Sequence, residues 1–389
     1  MSRPLRIVVL GMMGACPFGG QTWAYLNWLR GFHLLGHEVW YAEDNLVWPF
    51  DPLRNAVTSD CGYAVRHIGS CLERIGLGGR WAYRLRPGGG ACRGMREQAL
   101  DDLYRSCDVL LNIAGATELR EEHLRAPCRV YLETDPVTGE LRIAAGDERM
   151  RAIIGDHTAL ATYGEKYGDP DCGVPLGGLR FLKTRQPVDL SLWSADFDPE
   201  ATHFTTIGNY RQEGKDVVLR GETYRWSKHH EWEKFLELPR RTSVRFELAL
   251  KIDDPGDRDR LERAGWGVVS PLPMSLDVFD AYPEFIRRSR GEFTVAKDQN
   301  VRLRSGWFSD RDATYLASGK PVIAQDTGFG DVLPTGAGLF AFQDAEGALA
   351  ALAAVEADYA RHCARARAIA EEHFEARAVC ARLLAGLGF

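Results

Sequence analysis

The sequence predicts an α/β fold of two successive parallel-sheet units facing each other across a cleft, and three features of the chain carry that prediction. Short apolar runs rich in Val, Ile and Leu recur along the 389 residues, most of them bounded by Gly, Pro or Asp. Stretches of helical period lie between them, the alternation expected of parallel strands joined by crossover helices. Midway, over Lys183–His203, the periodicity lapses and Pro187, Pro199 and several Asp residues intervene, so this segment reads as a linker.

Taken in order, Arg6–Leu10 (RIVVL) is a first buried strand, followed by the glycine-rich loop GMMGACPFGG. The next stretch places Trp28, Phe32 and Leu35 on one helical face and stops at Gly36; HEVWYAE is then a second strand. DVLLNIAG, RVYLETD and TALATYGE read as later buried strands, and RPGGGACRG as a flexible loop. In the second unit HFTTIGNY is a strand entering a loop, and TYRWSKHHEWEKFLEL is predicted helical. SVRFELALKI is a strand, DRDRLERAG a helix and WGVVSPLP a strand with a turn; GEFTVAKD and PVIAQD close the set. The tail from Asp344 is rich in Ala and Arg and helical, with Leu349, Leu352, Val355 and Tyr359 recurring along it.

Composition removes several classes of function. A net charge of −6, with no block of like charge, argues against a dedicated binder of nucleic acid or acidic membrane. Nine scattered cysteines without a CxxC pair fit a reducing compartment. No window is long and apolar enough for a membrane span, and the N-terminus lacks the pattern of a signal peptide. The expectation is a soluble, cytoplasmic protein, monomer or homodimer. Only eight of 48 basic residues are Lys, and the excess of Arg, Ala and Gly fits a GC-rich bacterial genome.

Chemistry is most readable between Gly306 and Gly330. Ser309 and Asp310 stand at the N-cap of a helix starting near Arg311, where free N–H groups and the helix dipole hold a phosphate, with Arg311 adding a charge-assisted contact. The plainer alternative is that Asp310 only caps and Arg311 is solvated. Asp326, in the loop after the following strand, either accepts hydrogen bonds from sugar hydroxyls or forms its own turn. Glu133-Thr134-Asp135 ends a buried strand before Pro136, placing a general base or hydroxyl-orienting carboxylate in the cleft, or else a capped turn. Gly14, Pro17, Gly19 and Gly20 lie between first strand and first helix, but the spacing is not GxGxxG, and no Walker A sequence occurs. His229-His230-Glu231 lacks the i, i+4 histidine pair of a zinc site, so no metal is expected. Trp23, Trp48 and Trp81 either stack on an acceptor or pack in the core.

With those residues in view, the chain resembles the GT-B superfamily of nucleotide-sugar glycosyltransferases. ASGKPVIAQDTGFGD is similar to the donor-binding segment of its retaining members, and PFGGQTWAYLNWLRGFHLLGHEVWYAED to their N-terminal "GG…L…L…GHEV" segment. One departure concerns the E-x7-E carboxylates of the large retaining family, whose positions hold Gly306 and Thr314 here. The resemblance implies two Rossmann-like domains, an acceptor-side one over 1–190 and a donor one over 203–370, joined by 191–202, with a helix over 371–389 returning to the first. It implies catalytic roles for Glu133, Asp135 and Asp310. Ser309, Arg311, Asp312, Gly208, Asn209, Lys228 and Lys297 are then placed at the donor diphosphate, Asp326, Thr327 and Gly328 at the donor sugar, and Gly19 and Gly20 on the acceptor side. A nucleoside-diphosphate sugar is the implied co-substrate, without metal or other cofactor, and the acceptor a small molecule or glycan of bacterial natural-product or surface-glycan biosynthesis. A nucleotide-sugar epimerase of the same fold, or a non-catalytic binder, is the alternative.

Overall fold

The computed structural model describes residues 3–87 and 89–389; Gly88, inside the predicted loop 86–94, lies outside them. The first sheet contains β1 (Arg6–Leu10), β2 (Glu38–Glu43), β3 (Trp81–Leu85), β4 (Ala91–Arg93), β5 (Val109–Ile113), β6 (Cys128–Glu133), β7 (Ala159–Thr162) and β8 (Phe181–Lys183). Its order is β8–β7–β6–β5–β1–β2–β3–β4, parallel throughout except for the β3–β4 pair. The second half contributes β9 (His203–Asn209), β10 (Val217–Leu219), β11 (Glu222–Tyr224), β12 (Arg245–Lys251), β13 (Gly267–Val269), β14 (Gly291–Thr294), β15 (Val322–Gln325) and β16 (Leu339–Phe342). Six of these form a wholly parallel sheet, β13–β12–β9–β14–β15–β16, while β10 and β11 make a separate antiparallel hairpin.

Strands covered on both faces read as unbroken apolar runs, which is why these were visible in the sequence: β5 and β15 are buried at every position. In each sheet the strand order reverses beside the first strand, at β1 and at β9, the place where such sheets open a crevice at the carboxyl ends of their strands.

Seven helices matter for the site: α1 (Gly19–Leu34), α2 (Thr138–Ala144), α3 (His229–Lys234), α4 (Asp298–Arg302), α5 (Asp310–Ala317), α6 (Tyr359–His373) and α7 (Ala376–Gly386). After α6 the chain crosses to the first half: Val188 N–H donates to Phe374 O at 2.7 Å and Ala376 N–H to Val188 O at 3.0 Å. There α7 lies along α1, and Gly31 makes the close approach possible, since a Cβ at that position would sit 2.4 Å from Cys380 Sγ.

The predicted helix TYRWSKHHEWEKFLEL is corrected. Tyr224 instead pairs with Val217 in the β10–β11 hairpin, and only His229–Lys234 is helical. Arg220 (φ 54°) and Gly221 (φ 83°) turn this hairpin with two positive φ angles, the geometry that matches strand twist in a two-residue turn. The hairpin reaches across to the first half, where Val217, Leu219 and Tyr224 join Val137, Leu141 and Tyr167 in a shared apolar cluster. Residues 91–93, read as loop, form the edge strand β4, and β3, β8 and β16 are strands the sequence reading did not name.

Candidate active-site cleft

Between the sheets lies a cleft of about 950 Å³, a volume suited to a small-molecule ligand. The first half contributes Met12 after β1, Ala114 after β5, Glu133–Asp135 at the end of β6, and Thr138, Gly139 and Arg142 of α2. Opposite them stand Gly214–Val218, Trp226, Trp307 and Asp310. Contacts across the cleft hold the halves together: Trp307 Nε1 donates to Thr134 O at 3.0 Å, Gln299 Nε2 to Thr138 Oγ1 at 2.7 Å, and Lys297 pairs with Asp135.

Three of the eight lysines gather at this second wall, Lys215 lining the cleft and Lys228 and Lys297 lying against the lining rings of Trp307 and Trp226. Lys297 Nζ sits 3.0 Å from the Trp226 ring centroid, Lys215 Nζ is 4.4 Å from the same ring, and Lys228 Nζ is 5.4 Å from Trp307. The rings supply cation–π attraction but no counter-charge. Burial pushes Lys297 down to about 8 in spite of Asp135. Lys228 is pushed down to about 7 by burial and then by neighbouring Arg311, and among the described residues it has neither an ion-pair nor a hydrogen-bond partner. Lys228 is half-buried, so its ammonium is poorly hydrated and without a counter-charge, and this wall is suited to receive an anion.

Facing it are the carboxyls. Glu133 is buried, accepts Thr162 Oγ1–H at 2.8 Å, and is raised well above the usual carboxylate range by burial and then by Glu140 beside it. Asp310 is pushed up to about 7 by burial, with Asp312 and Asp135 adding to the effect.

Other predicted site residues are placed differently. Ser309 does cap α5, accepting Arg311 N–H at 3.3 Å. The Arg311 guanidinium, predicted as a free phosphate ligand, turns inward: it pairs with buried Glu292 and donates to Thr294 Oγ1 and Ile207 O, both at 2.8 Å, and to Asp312 at 3.2 Å. Its burial there follows from the charges that β14 and α5 supply. Gly208 lies beside it, where a Cβ would come within 3.7 Å of Arg311 Nη1, and exposed Asn209 ends β9 without lining the cleft. Asp312 and Thr327, with Lys228 and Trp307, surround a small inner recess.

Asp326 satisfies its own turn, accepting Gly328 N–H at 2.8 Å, and also meets Arg304 at 3.5 Å; it does not line the cleft. Gly328 (φ 92°) is covered by the Lys166 chain, whose Cδ a Cβ there would approach to 2.7 Å. Gly19 and Gly20 open α1 under the ring of Tyr282 from the other half, and Gln21 reaches the cleft instead. Of the three tryptophans none lines it: Trp23 is core, while Trp48 and Trp81 are half-buried against the core. Sequence reasoning missed Lys215, Trp226 and Trp307; the scarcity of lysine was the available signal for the first.

The glycine loop after β1 holds an anion of its own. Glu43 accepts Gly14 N–H at 2.7 Å, Ala15 N–H at 2.9 Å and Tyr41 O–H at 2.9 Å, while burial raises its carboxyl to about 7. His229 and His230 join no metal-like group. Among the described residues the one such grouping is Asp44, Glu122 and His123, and Arg84, Arg86 and Arg120 already neutralise its carboxylates.

Two parallel sheets, a cleft at the switch points and a last helix returning to the first half can be compared with solved structures. HepE from Anabaena in complex with UDP-glucose superposes with a TM-score of 0.58 over 99% of both chains at 12% identity. An alpha-glucosyltransferase in complex with UDP and a 13-mer DNA gives 0.59, again over 99% of both chains, at 10% identity. The fold is GT-B. A putative UDP-N-acetylglucosamine 2-epimerase from Listeria monocytogenes shares it, with a TM-score of 0.51 over 99% of this chain and 96% of that one at 11% identity. No protein-family model and no curated protein sequence matches the chain. Among its described residues no GT-B helix here is long and apolar enough to cross a membrane.

Proposed function

We propose that this GT-B protein transfers a sugar from a nucleoside-diphosphate donor to a hydroxyl or amine acceptor. The observation that supports the reading most is the lysine wall, above all Lys228, which has no partner of its own among the described residues. In the transfer the acceptor oxygen or nitrogen bonds to the anomeric carbon, the bond to the diphosphate oxygen breaks, and its electron pair leaves with the diphosphate. Fixed cations where that charge develops lower the barrier. Lys228 and Lys297 are assigned to it, Lys215 standing at the rim, and the Ser309-capped start of α5 presents N–H groups to the same charge. Glu133, Asp135 and Asp310 are the carboxyls available to take the acceptor proton. The acceptor lies on the side of Met12, Gln21, Tyr131 and Met150. Lysines replace a metal in this scheme, so chelators are expected to leave turnover unchanged.

Calorimetric titration with the diphosphates of uridine, guanosine, adenosine, cytidine and thymidine tests the reading. At least one is expected to bind in the micromolar range and to lose affinity in Lys228→Met; millimolar or absent binding for all five would overturn it. The fold shared with an epimerase supports a second reading, in which the donor sugar is isomerised. Incubating the donor alone separates the two, because only an epimerase turns it over without acceptor.

A further inference from the structure

One ion pair ties the carboxyl side of the cleft to the lysine wall, and it joins a base candidate to a diphosphate ligand. Asp135 follows β6 and lines the cleft; Lys297, the N-cap residue of α4, stands behind it and does not. The two side chains pair across the halves, Lys297 with 7% of its side chain exposed and Asp135 with 34%. The compensation is incomplete. Asp135 Oδ1 is buried without a donor, and among the described residues the Lys297 ammonium has no acceptor besides Asp135, otherwise facing the Trp226 ring at 3.0 Å. The loop that carries Asp135 is held independently of the pair, since Trp307 Nε1 donates to Thr134 O and Gln299 Nε2 to Thr138 Oγ1. Exchange at the pair therefore leaves the halves joined.

We propose that the donor diphosphate takes Lys297 from Asp135, and that the carboxylate so released is the proton acceptor of the transfer. A buried ion pair holds well only when its remaining donors and acceptors are satisfied, and here both partners have unmet capacity. A diphosphate brings more charge and several oxygens, so the ammonium gains acceptors that one carboxylate oxygen does not give it. The same exchange sets the proton affinity of Asp135. A cation at ion-pair distance favours the charged carboxylate and makes it a weak base; losing that cation to an anion raises its proton affinity. Asp135 is thus a poor base in the empty cleft and a better one once the donor is bound. The acceptor atom then gives its proton to Asp135, bonds to the anomeric carbon and displaces the diphosphate. Around the pair, Tyr131 and Glu133 on β6 and Asp310 on α5 face Asp135, while Lys215 and Lys228 face Lys297; none of them is a hydrogen-bond partner of either.

The proposal rests on the transfer reading for the role of Asp135, whereas the exchange itself is measured without turnover. Inorganic pyrophosphate, which carries the diphosphate charge without base or sugar, is titrated calorimetrically into wild type, Asp135→Asn, Lys297→Met and the double variant. D135N is expected to bind about fivefold tighter or more, because Lys297 no longer has to leave a carboxylate. In the Lys297→Met background the same D135N change should alter the Kd less than about twofold, whereas a carboxylate that merely repels the anion would tighten both backgrounds equally. Equal tightening in both, or none in D135N, overturns the exchange whatever the nucleoside diphosphates do; their failure to bind the wild type overturns the transfer reading alone. Asparagine keeps an oxygen for the ammonium, so D135N is expected to fold. If a variant does not, carbon NMR of the wild-type Asp135 carboxyl decides: its midpoint should rise by about one pH unit or more with pyrophosphate, and a midpoint that stays in place overturns the exchange. Where transfer is measured, D135N should lower kcat by about 100-fold or more while the donor KM falls; a kcat within about tenfold of wild type overturns the base role.

Discussion

The glycine-rich loop after β1 and the lysine wall of the second half are both built to hold negative charge, and they differ in who supplies it. In the loop the anion is internal: Glu43 occupies the N–H groups of Gly14 and Ala15. On the wall Lys215 lines the cleft and Lys228 the recess beside it, and among the described residues Lys228 has no internal partner. A satisfied charge is architecture, whereas an unpartnered one beside a cleft can be compensated by a ligand, because burying a charge without compensation is costly. Glycines after a first strand therefore do not by themselves mark a phosphate site; their N–H groups have to be free.

The largest effect expected from this contrast is at Lys228. Lys228→Met should weaken nucleoside-diphosphate binding by about 10- to 150-fold, the equivalent of a charge-assisted contact of about 1.5–3 kcal/mol. The same change should stabilise the unliganded protein, by on the order of 1–3 kcal/mol at pH 6, because it removes a desolvated charge. The pH dependence has a definite sign. Lys228 is held at about 7 against an ordinary 10.5, so the unfolded chain binds the extra proton between those values. The destabilisation is full below pH 7 and fades as pH rises toward 10.5, and the Met variant should lose that slope in denaturant titrations. Binding an anion restores the proton, so calorimetric heats near pH 8 should vary with buffer ionisation enthalpy and report proton uptake. A Lys228→Met protein that binds as tightly as the wild type would place the anion elsewhere.

Glu43→Gln probes the other side of the comparison. Its amide places an N–H₂ against backbone donors that need an acceptor, costing about 1–3 kcal/mol of stability. If the loop is architecture, the diphosphate Kd should move less than twofold in protein that remains folded at 20 °C. A lost Kd with unchanged melting would reverse the assignment and make the loop part of the site.

What the sequence made legible follows the range of the interactions involved. Central strands such as β1, β5 and β15 declared themselves because burial on both faces demands a local run of apolar residues. The carboxyls of Glu133 and Asp135 could be placed because the end of a parallel strand opens on the crevice. Arg311 could not be placed. Its partners Glu292 and Thr294 lie on β14 and Ile207 O on β9, and only the folded sheet brings them under α5. Asp326 followed the local rule for a short acidic residue before glycine and bonded its own turn. TYRWSKHHEWEKFLEL has helix-forming composition, yet a two-residue turn at Arg220–Gly221 and the apolar cluster under the hairpin prevail over that preference.

The smallest expected effect concerns Lys215, which shares the Trp226 ring with Lys297 but is exposed where Lys228 is not. An exposed cation attracts a diphosphate through high-dielectric solvent, so Lys215→Ala should weaken binding only about two- to fivefold at low ionic strength. Raising salt toward 1 M shortens the screening length to about 3 Å and should erase that difference. The Lys228→Met difference should survive the same salt, because little mobile ion enters the recess formed with Trp307, Asp312 and Thr327. Titrating both variants at low and high salt therefore ranks the two lysines by burial. If Lys215→Ala proves the more damaging at both, then the segment Gly214–Asp216 before the hairpin, and not Lys228, holds the anion.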